Sequence, residues 1–234
     1  MRTIIEETRL QYEDITNNAS TRIPICICVD ASYSMMIDRR MEQVNKGIRS
    51  FICDIRNNIY AVDSVELCVI SFGSEVKVER EFSTEMATGS ENERKTTFID
   101  ITPQGKTPLG KAVLTAIEKI EERQKMYNTR GVTTYKPWLI LISDGKATDN
   151  VSEAAYQTIS LQRAGRIKVL CVGIGDEAND LAQFKLDGEV IQLKDFALTD
   201  FFSWLSKSMS KQSRQLPEMD IDIPDREELI KMRR

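Results

Sequence analysis

The run Ile23-Pro24-Ile25-Cys26-Ile27-Cys28-Val29 is apolar without interruption and rich in β-branched residues. A strand wetted on one face alternates polar and apolar positions, so this one belongs in a parallel sheet, buried on both faces. Pro24 is compatible because it stands near the start, where it costs no central ladder bond. Val65 to Phe72, Trp138 to Ser143 and Ile167 to Gly173 read as further strands. Between them the apolar period changes to that of helices. Met41, Val44, Ile48, Phe51, Ile52, Ile55 and Ile59 form one such stripe, and Leu109, Ala112, Val113, Ala116, Ile117 and Ile120 another, on a helix predicted from Pro108 to Met126. A third helix is predicted over Ser152 to Ala164, followed by short elements: a helix over Asp180 to Phe184, a strand over Val190 to Leu193 and a helix over Thr199 to Met209. Glu75 to Phe82 alternates charged residues with Val76, Val78 and Phe82, the pattern of a charged antiparallel edge strand. Strands alternating with helices predict an α/β fold. Its sheet is doubly wound and mostly parallel, with about six strands, helices on both faces and one antiparallel edge strand.

The patterned region runs from about residue 22 to 210, flanked by an N-terminal extension (1–21) and a C-terminal tail (211–234). The extension scatters Ile4, Ile5, Leu10, Tyr12 and Ile15 among polar residues and fits an irregular strap. Residues 83–105 read as a polar loop, 127–136 as a polar connector, and Glu118 to Arg123 as a solvated helix face. Leu216 to Pro224 alternates apolar and acidic residues between two prolines, which predicts an extended segment. It either packs on its own domain or docks on another molecule.

Composition removes several functions. A net charge of −4 argues against a broad basic nucleic-acid footprint. The chain has no histidine, which excludes histidine metal sites and the commonest general base. Its five cysteines, Cys26, Cys28, Cys53, Cys68 and Cys171, all fall at core positions and read as buried thiols. The N-terminus carries no apolar signal core and no run reaches transmembrane length, so a cytoplasmic protein with reduced thiols and no membrane partner is expected.

The chemistry concentrates where strand one ends, in Asp30-Ala31-Ser32-Tyr33-Ser34. One carboxylate and two hydroxyls at alternate positions of a loop converge on one point, and all are the hard oxygen donors that Mg²⁺ or Mn²⁺ prefers. Alone, the motif reads equally as a Ser-rich turn capping the next helix. Two later segments matter. Thr107 precedes Pro108 and a helical pattern, as an N-cap with proline at the first helical position does. Asp144 ends another apolar strand, in Leu141-Ile142-Ser143-Asp144-Gly145. Carboxyl ends of strands near a topological switch point are where open α/β sheets bind ligands. Asp149, a little further on, caps the next helix or supports this loop. Gly173-Ile174-Gly175-Asp176-Glu177-Ala178 imitates a dinucleotide fingerprint but lies late in the chain, and its acids repel a pyrophosphate. Its glycines read as a tight turn.

In this order, Asp30, Ser32, Ser34, Thr107 and Asp144 resemble the metal-ion-dependent adhesion site of the von Willebrand factor type A (VWA) family, a Rossmann-like fold, over roughly residues 22–210. The resemblance implies that Ser32, Ser34 and Thr107 supply side-chain oxygens to a Mg²⁺ or Mn²⁺ ion. Asp30 and Asp144 would act directly or through water, and a partner's Asp or Glu would fill the open position. Tyr33 departs from the family, which more often has glycine there. Within the family the chain is most similar to the tellurite-resistance TerY type. That similarity implies a non-enzymatic adaptor working with a protein kinase and a metal-dependent protein phosphatase in a bacterial stress response. The alternatives are a VWA subunit of a metal-chelatase-like AAA+ ATPase complex and a metal-dependent phosphatase.

Overall fold

A computed structural model describes residues 18, 20–83, 99–175, 179–193 and 197–216. Most of the N-terminal extension, much of the polar loop, Asp176 to Ala178 and the tail from residue 217 lie outside the described residues. The elements are β1 (Ile23–Asp30), a 3₁₀ turn (Tyr33–Arg39), α1 (Arg40–Arg56), β2 (Val65–Phe72), β3 (Val76–Arg80), α2 (Leu109–Arg130), β4 (Trp138–Ser143), α3 (Ser152–Arg163), β5 (Lys168–Ile174), a second 3₁₀ turn (Asn179–Phe184), β6 (Ile191–Leu193) and α4 (Ala197–Gln212). The six strands form one sheet in the order β3-β2-β1-β4-β5-β6. All neighbours are parallel except β2 and β3, so β3 is the antiparallel edge strand expected from its charge pattern.

Side chains alternate across a strand, and both sets on the central strands are apolar. Ile23, Ile25, Ile27 and Val29 of β1 join a core with Val44, Ile48 and Phe51 of α1 and Phe201, Phe202 and Leu205 of α4. Cys26 and Cys28 face the opposite core, with Leu109, Val113 and Ile117 of α2 and Ala154 of α3. Each such side chain contributes about 1.5–3 kcal/mol by leaving water. A Cβ on Gly47 would lie 2.1 Å from the Phe202 ring, so its absence lets α4 close on α1. Cys26, Cys28, Cys68 and Cys171 are fully buried, and burial pushes the Cys171 thiol up to about 12, so these are inert core groups.

Several expectations are corrected. Cys53 is half-buried on α1 rather than a core thiol. Ile59 is 75% exposed because α1 stops at Arg56. The second helix extends to Arg130, and Arg123 on it is buried, not solvated. At the amino ends of the central strands, Glu66 takes Arg123 Nε at 2.7 Å and faces Arg22 Nε at 3.5 Å. Tyr127 OH, now one turn inside the helix, also donates to Glu66. No helix among the described residues is long and apolar enough to cross a membrane.

Candidate metal centre

The order of strands reverses at β1 and β4, which are adjacent although β2 and β3 intervene in sequence. Their carboxyl ends therefore open the crevice where such sheets place ligands. β1 delivers Asp30 and β4 delivers Asp144, both almost completely buried. Asp30 Oδ1 accepts from Ser32 N–H at 2.8 Å, which folds the loop back over the strand end. Its Oδ2 accepts from Ser143 Oγ at 2.5 Å.

The two serines complete a chain of oxygens. Ser32 Oγ and Ser34 Oγ are 2.8 Å apart, and Ser34 Oγ donates to Asp144 Oδ1 at 2.7 Å. Ser32 stands at the N-cap of the 3₁₀ turn yet makes no side-chain capping bond. Its hydroxyl serves the cluster, which disfavours the capping-turn reading of the motif. Tyr33 points outward and is 64% exposed, so its ring does not obstruct the loop.

Thr107 is buried beside this loop but is held by the neighbouring loops rather than by the four other residues. Gln104 N donates to Ala31 O at 2.6 Å and Tyr33 N to Gly105 O at 3.3 Å. Gly73 makes this approach possible, because a Cβ there would meet Gln104 O at 2.2 Å. Gly105, at φ +78, takes a conformation that favours glycine. Asn45 of α1 clamps the same loop through Ile101, accepting from its N–H at 3.0 Å and donating to its carbonyl at 2.9 Å.

The expected capping role of Thr107 is corrected. Pro108, not Thr107, is the N-cap of α2, and no side chain of its own segment caps the helix. Asp149 does so from the β4–α3 loop, accepting from Gly110 N at 3.0 Å and Lys111 N at 2.8 Å. Thr148 pairs twice with Thr107, accepting from Thr107 N at 3.1 Å and donating its own N–H to Thr107 O at 2.9 Å. Ala147 N donates to Asp180 Oδ2 at 2.9 Å. The Asp144 loop and the Thr107 loop are thus laced together, and Thr107 Oγ is free of capping duty.

Two nearly buried carboxylates at one strand-end crevice are electrostatically costly. Burial pushes the Asp30 carboxyl up to about 6, against the hydrogen bonds from Ser143 and Ser32, and the charge on Asp144 adds to the rise. Asp144 Oδ2 is met by Arg40 Nη1 at 2.6 Å, a pair the sequence did not suggest. The donor set is two carboxylates and neutral hydroxyls, all oxygen, with net charge suited to a divalent cation. No group of three or more His, Cys, Asp or Glu capable of holding a metal occurs among the described residues, so hydroxyls are indispensable to any metal site here.

No curated protein sequence gives a significant match. Solved structures do. The von Willebrand factor domain of the type V pilus tip protein Mfa5 from Porphyromonas gingivalis superposes with a TM-score of 0.60 at 12% identity, covering 86% of this chain and 99% of that one. Proximal thread matrix protein 1 from the mussel byssus, with a zinc-occupied MIDAS motif, gives a TM-score of 0.56 at 16% identity, covering 84% and 46%. The ArnB paralogue VWA2 from Sulfolobus acidocaldarius gives 0.52 at 18%, covering 83% and 46%. The chain thus spans just under half the length of the latter two, and at these identities the likeness is one of fold. The sequence matches the von Willebrand factor type A domain over residues 25–204. The chain belongs to the von Willebrand factor type A domain family, whose members are in general metal-dependent adhesion and protein-interaction modules.

Proposed function

We propose that this chain is a non-enzymatic protein-interaction module switched by a divalent metal ion. Asp30, Ser32, Ser34, Thr107 and Asp144 would hold Mg²⁺ or Mn²⁺, and an Asp or Glu of a protein partner would complete the coordination. The observation that carries this reading is the run of hydrogen bonds from Asp30 to the Ser32 N–H, and from the Ser32 hydroxyl through the Ser34 hydroxyl to Asp144. The zinc-occupied motif of the mussel protein supports a divalent ion as the occupant in a related fold. When bound, the ion supplies a Lewis-acidic position for a carboxylate. The residues of this chain would hold it: Asp30 and Asp144 would offset its charge, and Ser32, Ser34 and Thr107 would supply neutral hydroxyl oxygens. Exposed Tyr33, Met36 and Ile37 border the site and give a partner apolar surface around its acidic contact.

The finer proposal is a cytoplasmic adaptor of the tellurite-resistance type, whose partners are a protein kinase and a metal-dependent protein phosphatase. It rests on the resemblance of Ile-Cys-Val-Asp-Ala-Ser-Tyr-Ser-Met and Leu-Ile-Ser-Asp-Gly-Lys-Ala-Thr-Asp. The full chain, immobilised and exposed to lysate in Mg²⁺, should retain a partner that EDTA releases and that Thr107→Ala retains less. An identical bound set in EDTA overturns the metal-dependent reading. Phosphoester hydrolysis that Asp30→Ala eliminates would favour the phosphatase alternative instead.

A further inference from the structure

Arg40 breaks local rules. It is the first residue of α1, where the helix dipole disfavours a cation. The two residues before it, Asp38 (φ 50) and Arg39 (φ 56), are consecutive non-glycine residues in the left-handed region. They are the only non-glycine residues with positive φ among the described residues. Backbone in this state persists where surrounding contacts over-determine it, and such strain collects at sites that change conformation.

The contact that holds Arg40 is Asp144. Nη1 reaches Asp144 Oδ2 at 2.6 Å, while Nη2 passes 3.4 Å from the position a Cβ on Gly175 would take. Nε is buried with no hydrogen-bond partner among the described residues. The guanidinium therefore reaches over the carboxyl ends of β4 and β5 and meets one of the two carboxylates of the cluster through a single bond. Asp144 Oδ1 is meanwhile held by Ser34. A full positive charge thus sits at the carboxylate that the proposed site offers to a metal.

We propose that Arg40 is a built-in counter-cation that competes with the divalent metal for Asp144. This inference rests on the metal-site reading. Two cations at one carboxylate repel each other, so metal at Asp144 and the Arg40 contact weaken one another. Metal loading swings Arg40 out, and the left-handed pair Asp38–Arg39 is the hinge that relaxes. The segment between the serines and this hinge carries the exposed apolar residues Met36 and Ile37. Exchange of cations at Asp144 accordingly changes the surface a partner meets, and it sets the metal concentration at which the change occurs.

Calorimetric titration of Mn²⁺ into the full chain and into Arg40→Gln and Asp144→Ala tests the competition. Arg40→Gln removes both the competitor and its repulsion, so its Mn²⁺ affinity should exceed wild type by about tenfold or more. Asp144→Ala should bind far more weakly than either. If wild type binds and Arg40→Gln binds no more tightly, the competition is refuted while the metal site stands. If neither binds, the metal site itself is refuted and the inference falls with it. A second readout needs no variant. Trypsin cleavage after Arg40 in wild type should accelerate severalfold on adding Mg²⁺, as the side chain leaves Asp144. Unchanged or slower cleavage would overturn the release of Arg40.

Discussion

Replacing Asp30 by asparagine should stabilise the metal-free protein at neutral pH, although it removes a residue at the centre of the proposed site. Asp30 is fully buried, and burial raises its carboxyl from 3.8 to about 6 against the hydrogen bonds it accepts. The folded state therefore holds this proton more tightly than the unfolded chain. Below the unfolded value both states are protonated and the stabilisation is complete; as pH rises through the folded value it is lost. The rise from 3.8 to about 6 corresponds to about 3 kcal/mol. The Asp30→Asn amide does not titrate, and its oxygen still accepts from Ser32 N–H. The Ser143 hydroxyl, displaced from a carboxylate oxygen, has Gly145 O within 3.5 Å. In EDTA, urea unfolding of wild type and variant from about pH 4 to about pH 8 should show the variant gaining about 3 kcal/mol relative to wild type across that range. Mn²⁺ should erase the gap by stabilising wild type alone. A difference independent of pH would refute the assignment of that cost to Asp30.

Asp149→Ala leaves the amides of Gly110 and Lys111 without their acceptor and should cost about 1–2 kcal/mol by urea midpoint. It should also weaken Mn²⁺ binding in calorimetry, because the capped end of α2 adjoins Thr107. Glu66→Gln removes the buried negative charge that faces Arg22 and Arg123 and should cost about 3–5 kcal/mol by the same unfolding assay. Breaking the exposed Arg166–Glu121 pair by Glu121→Gln should change stability by less than about 1 kcal/mol.

The sheet was legible because its strands are apolar on both faces, a pattern that only burial between two helical layers satisfies. The edge strand was legible for the opposite reason, since Lys77 and Glu79 alternate with Val76 and Val78. That Asp30, Ser32, Ser34 and Asp144 come together was legible from their places at and just after two strand ends. Less legible was what each neighbour does there. Asp149 caps a helix 39 residues upstream, and no local pattern announces a cap supplied across space. Arg123 sits in a charged stretch, yet Glu66 on a neighbouring strand draws it into the interior. That buried cluster also holds Tyr127, which is why the second helix continues through residues that look like a connector. No pattern in the sequence singles out Arg40; only its distance from Asp144 and the left-handed turn before it distinguish it.

One divalent ion held among Asp30, Ser32, Ser34, Thr107 and Asp144 is what the proposed switch requires. Crystals of the full chain grown with Mn²⁺, measured at a wavelength where manganese scatters anomalously, test it directly. One strong peak is expected about 2.0–2.3 Å from the Ser32 and Ser34 hydroxyls. Thr107 and the two carboxylates should complete the shell directly or through water, and Arg40 should be turned away from Asp144. A crevice without a peak, while manganese scatters strongly elsewhere on the protein, would contradict it.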